Sequence, residues 1–292
     1  MDSALELKIG IDNGYHFSNK EILDKLQNSE LVGKLIADMP VTPLAIVWRL
    51  ICISEIPFSN KLDYTQKLIE IVYSKLATPY GFSLSRDEKM FLPCYNAMVV
   101  SALCRLGRAN DRQVKNAVDW INSNQPMERG IKVDLPNFNF DRYGGCFKKT
   151  PCYIGLAKSV FALQDFKEQT KKKEHETQLQ KGISYLLEHK FFKRLSKDEP
   201  INKHITDISF PETYHLNSLE LLRFAKKANL LANKKTTDLI SHIEKRKTKD
   251  GKWKNNFNYK AEGYVAFDSG KKTSDWTTHL INEILKNKKN SH

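Results

Sequence analysis

The sequence predicts an all-α protein, with about ten to eleven helices in inner and outer pairs within a single domain spanning residues 1–292. Two observations carry this expectation. Apolar helices open three times at similar spacing: CYNAMVVSALCRLG at 94–107, CYIGLAKSVFALQ at 152–164 and HLNSLELLRFAKKA at 215–228. Each is followed by a segment with a single apolar stripe, namely Ala117-Val118-Asp119-Trp120-Ile121, Gly182-Ile183-Ser184-Tyr185-Leu186 and Leu239-Ile240-Ser241-His242-Ile243.

The three opening segments, and PLAIVWRLICI before them, are apolar on more than one face, which requires burial on both sides. They read as inner helices, expected near 43–54, 94–106, 152–164, 215–228 and 276–287. The one-faced segments read as outer helices, expected near 20–38, 64–77, 111–124, 174–190 and 234–247. Repeat spacings of roughly 55 to 65 residues exceed those of tetratricopeptide or armadillo arrays. The long insertions fall between an outer helix and the next inner one. This pattern favours closure into a double ring, an α/α toroid whose inner helices line a central cavity. LELKIGIDNG, within residues 1–19, is expected to be a short strand or an extended N-terminal arm.

A hydrophobic fraction of 40% allows a substantial core. No stretch approaches the roughly 18 to 20 apolar residues of a membrane span, and the N-terminus lacks a basic-then-apolar leader pattern, so a cytoplasmic location is expected. The net charge of +13 reads mainly as a solvated lysine surface; peripheral membrane contact is compatible with it, and no nucleic-acid motif accompanies it. Five cysteines in such a compartment do not suggest a disulfide framework.

At the C-terminal end, DGKWKNNF and FDSGKKTSDWTTHLINEILK place Gly251, Trp253, Gly270, Lys271, Ser274, Trp276 and Thr278 in a pattern that resembles the terminal repeat of squalene-cyclase-like and protein-prenyltransferase-like proteins. YNAMVVSALCRLG, YGGCFKKTPCYIGLAKSVFAL, YLLEHKFFKR and FPETYHLNSLELL agree, so the likeness covers roughly residues 80 to 287. The resemblance implies the α/α toroid and an apolar, isoprenoid-like substrate in its cavity. The cyclases' Asp-x-Asp-Asp acid motif is missing, as is the Asp-x-Cys zinc pair of the prenyltransferases, and threonine stands at 277 and 278 beside His279 where the last zinc ligand would fall. Two functions therefore stay open: an enzyme of this type with a non-standard mechanism, or a ring that binds a lipid, peptide or protein without catalysis.

Candidate residues follow from both readings. Asp134 and Asp141 flank Phe138 and Phe140, with Tyr143 next; an acid beside aromatic faces is what carbocation chemistry needs, and the same loop could simply pack on the rim. Asp141, Glu212 and Asp268 are the candidate acids, and Phe138, Phe140, Tyr143, Tyr214 and Trp276 the candidate substrate-binding residues. Cys94, Cys152 and His215 occupy equivalent first-turn positions of three inner helices, and Cys146 lies six residues before Cys152. Thiolates and an imidazole suit zinc; the same residues also suit a Cys146/Cys152 redox pair or plain packing.

Overall fold

The computed structural model describes residues 1–289 except 132, 134, 136–137, 146–150 and 269–272. Helices α1 (Ser3–Asp12), α2 (Asn19–Gln27), α3 (Glu30–Ile36), α4 (Pro43–Ser54) and α5 (Asp63–Leu76) lead into a hairpin of β1 (Ala77–Thr78) and β2 (Gly81–Phe82). They are followed by α6 (Pro93–Arg105), α7 (Arg112–Asn124), the one-turn α8 (Phe140–Tyr143), α9 (Tyr153–Thr170) and α10 (Glu176–Glu188). The last three are α11 (Ser218–Lys227), α12 (Thr237–Glu244) and α13 (Asp275–Lys289). The chain is thus all-α, and among the described residues no helix is long and apolar enough to cross a membrane.

The helices fall into two compact units. The first comprises residues 1–34, 186–260 and 264–292; the second comprises residues 35–185 and 261–263.

In the second unit α4 packs on α6, and α6 packs on α9. These helices are buried around most of their circumference: Ala45 to Ser54 in α4 and Tyr153 to Phe166 in α9 are buried without a break. The amphipathic helices stand outside them, α5 on α4 and α7 on α6, each with one buried stripe such as Leu68, Ile69, Val72 and Leu76. Every large aliphatic side chain so covered contributes about 1.5–3 kcal/mol. Gly182 lets α10 press on α9, because a Cβ there would stand 2.2 Å from Val160 Cγ2. Buried Arg49 fixes the approach to α4 by donating to the carbonyls of Leu35, Asp38 and Gly263.

In the first unit α11 packs on α12 and α13, while α1 packs on α2 and α13. Here the structure corrects the expected N-terminal strand or arm. Residues 3–12 are helical because Asp2 caps Ala4 N, and Gly14, at φ +82°, closes the far end with Gly14 N and Tyr15 N bonded to Ile11 O and Gly10 O. Packing of this helix buries Ala4, Leu5 and Leu7. The single helix expected over 20–38 is two helices, since the Ser29 hydroxyl caps Val32 N and starts α3 afresh.

Candidate functional site

Asn217 is the N-cap of α11, its Oδ1 accepting from Glu220 N at 3.1 Å. His215 therefore lies in the loop ahead of α11, and its expected place in the first turn is corrected. Cys152 is the N-cap of α9, with Sγ accepting from Gly155 N at 3.2 Å, and Cys94 is the second residue of α6. The repeat registers therefore differ by two residues: the residue equivalent to Cys152 by capping role is Asn217.

Cys94 and Cys152 come together across Gly155, where an added Cβ would lie 3.3 Å from Cys152 Sγ and 4.0 Å from Cys94 Cβ. Both are buried thiols of the second unit, whereas His215 belongs to the first; Cys146 lies outside the described residues, as do Asp134, Gly270 and Lys271. Among the described residues no three His, Cys, Asp or Glu side chains are grouped to hold a metal ion.

The aromatic loop of the second unit folds onto its own scaffold. Phe138 meets Phe140 at 5.8 Å between ring centroids and Tyr143 at 5.9 Å, and Trp120 lies tilted to Phe91 at 4.5 Å and stacks on Phe140 at 6.5 Å. Phe140 is buried beneath Gly144, where a Cβ would meet its ring at 2.5 Å, so it is a core residue. Asp141 is exposed on α8.

The first unit brings together more of the candidates. Asp268 reaches the start of α13 and accepts from Thr277 N at 3.2 Å and Trp276 N at 3.4 Å. Burial nonetheless pushes its carboxyl above the ordinary value, the two amides opposing. Trp276 is buried, stacked on Phe210 at 6.1 Å and met edge-on by Phe267 at 5.0 Å. Its Nε1 has no hydrogen-bond partner among the described residues. Phe210 and Phe267 meet at 5.1 Å, the Arg223 guanidinium lies over Phe210, and Tyr264 donates to Pro211 O. Glu212, two residues past Phe210, is buried. A carboxyl with raised proton affinity is thus bonded to the backbone of Trp276, whose ring packs with those of Phe210 and Phe267.

Sequence reasoning missed a second group in this unit. His204 Nδ1 is 2.9 Å from Asp207 Oδ2, and Asp207 Oδ1 accepts from Asn256 Nδ2 at 2.6 Å. The His204 ring is held between His215 at 4.3 Å and Phe257 at 4.7 Å, with Tyr214 edge-on to His215. Asn255, next to Asn256, accepts from Thr277 Oγ1 at 2.7 Å, so segment 255–257 touches both groups. The His-x-x-Asp spacing at 204–207 was visible; the asparagine and phenylalanine that fix it come from some 50 residues away. An open recess lined by Arg194, Glu199, Pro200, Asn202 and Lys203 precedes this turn.

No model of a known protein family matches the chain, and no curated protein is similar to it.

Proposed function

We propose that the protein is an α/α toroid of the squalene-cyclase and prenyltransferase type that acts on an isoprenoid or similarly apolar substrate, with Asp268 as its acid. Two rows of neighbouring helices, α4–α6–α9 and α11–α13–α1, with one-faced helices beside them, support the ring reading. The observation that carries the chemical reading is the Asp268 carboxyl, its proton affinity raised by burial, bonded to the backbone of Trp276, whose ring packs with those of Phe210 and Phe267.

A carboxylic acid in apolar surroundings holds its proton more tightly and stays protonated to higher pH, so the acid form needed for proton donation is present where an exposed carboxyl would be ionised. The step would move the Asp268 proton to one carbon of an alkene, leaving the positive charge on the other carbon opposite the ring faces. The amides of Thr277 and Trp276 then stabilise the carboxylate left behind, and loss of a proton from the cation returns the acid. Trp276 Nε1 offers a hydrogen bond to a polar end of the ligand.

The test is incubation of the purified protein with squalene and with polyprenyl diphosphates, products being followed by gas chromatography and mass spectrometry. Turnover by wild type and none by a folded Asp268→Asn variant is the expected result. A second reading, a ring that binds without catalysis, is favoured by the missing Asp-x-Asp-Asp and Asp-x-Cys motifs. It would take over if wild type bound these lipids with no product.

A further inference from the structure

The positive charge is concentrated on one part of the first unit. Between Lys226 and Lys254 stand ten lysines and arginines against three acids, a net +7 of the chain's +13. Residues 1–34 of the same unit carry four lysines and six acids. A lysine-rich composition alone would charge both segments alike. Lys234, Lys235, Lys245, Lys247, Lys249 and Lys254 are exposed.

These cations stand on a firm base. Leu239, Ile240 and Ile243 bury the inner face of α12. Trp253 is buried, its Nε1 donating to Ile243 O, and Lys247 lies over its ring at 5.1 Å. Thr248 N and Oγ1 both donate to Lys252 O, closing a turn with Gly251 at φ +80°. Asp238 is shared by Lys190 and Lys193, two further cations, while Lys252 pairs with Asp275.

We propose that residues 226–254 form a docking face for an anionic lipid surface. Nine of the ten cations are lysines, point charges on flexible stems that suit a diffuse negative surface better than the two-pronged recognition of bases or single phosphates. The tryptophan of the segment is buried, so it offers no platform on which bases could stack. The choice of lipid as partner rests on the isoprenoid reading, since such substrates reside in bilayers.

The test is co-sedimentation with vesicles of equal parts phosphatidylcholine and phosphatidylglycerol, against vesicles of phosphatidylcholine alone. Binding only to the anionic vesicles, and its loss in high salt, is expected. Replacing Lys234, Lys235, Lys245 and Lys249 by Glu should weaken it by about a hundredfold or more, as four reversed charges near such a surface would. A control in which Lys20, Lys34, Lys67 and Lys89 become Glu makes the same change in net charge and should bind within about threefold of wild type. Equal loss in both variants, equal binding to neutral vesicles, or displacement from vesicles by a DNA duplex at low concentration would each overturn the proposal. Turnover assayed in detergent solution is independent of vesicle binding, so failure of one can be told from failure of the other.

Discussion

His279 Nε2 lies 2.7 Å from Asp12 Oδ2, joining α13 to α1 across 267 residues of sequence. Lys8, one turn earlier on α1, bonds the same carboxylate. The position beside the threonines that stand in place of a zinc ligand is therefore occupied by a histidine with a structural partner. This bond ties a helix that the sequence pattern misread to the last repeat.

Burial alone would raise the Asp12 carboxyl; the hydrogen bonds from His279 and Lys8 outweigh it and hold it below its ordinary value. A depressed carboxyl stabilises the fold above its unfolded value near 3.8, and that contribution is lost as pH falls through the folded value. Asp12→Asn should therefore cost about 1 kcal/mol at neutral pH, allowing for solvent screening of a partly exposed pair. The difference should vanish in acid. Urea unfolding at pH 7 and at a series of pH values falling below 3.8 checks this: the difference should shrink over that range, and a constant difference would mean that the bond is not ionic.

Gly263 is at φ +79°, and a Cβ on it would stand 2.1 Å from the carbonyl oxygen of Ala45. The obstacle is backbone of α4, and Arg49 Nε holds Gly263 O at 3.1 Å, so neither side can give. Gly263→Ala should cost about 3 kcal/mol or more. Gly14 has a similar φ of +82° with nothing within 4 Å, so Gly14→Ala isolates the conformational part at about 1 kcal/mol. Equal losses in the two variants would show that the close approach to Ala45 is not what selects glycine.

The helices were legible where local signals and burial agreed. α4 spans 43–54 as expected because Thr42 caps Ala45 N and Pro43 occupies the first helical position. The start of α11 was misplaced because the repeat comparison matched apolar residues and passed over the Asn217 and Glu220 cap signal. α1 was misread because the Asp2 cap on Ala4 N was passed over and the burial of Leu5 and Leu7 depends on packing. Asp268 and Trp276 could be named from sequence, but the packing of Trp276 on Phe210 depends on folding across more than 50 residues. The His204 and Asp207 pair went unread for the same reason.

Cys152 accepts from Gly155 N as a helix cap, a task that serine performs at least as well. Cys152→Ser should match wild type in stability, and Cys152→Ala should lose about 1 kcal/mol. A zinc site at this sulfur predicts another order. Serine would then be as damaging as alanine, and elemental mass spectrometry would find near-stoichiometric zinc in wild type and none in either variant.

Asp268 gives the prediction on which the catalytic reading turns. Its folded carboxyl is raised by burial, so its contribution to stability is full below the ordinary value of 3.8 and is lost as pH rises through the folded value. Asp268→Asn removes that loss while keeping an oxygen to accept from Thr277 N. The variant should be within about 1 kcal/mol of wild type at neutral pH, and its stability relative to wild type should rise from pH 3 upward. As the acid in the reaction, Asp268 would also make kcat fall as pH rises through the same value, and the asparagine variant would be inactive though folded. Full turnover by Asp268→Asn would leave the residue as the cap of α13 and nothing more, and would move the search for the proton donor to the buried Glu212 or to the His204 and Asp207 pair.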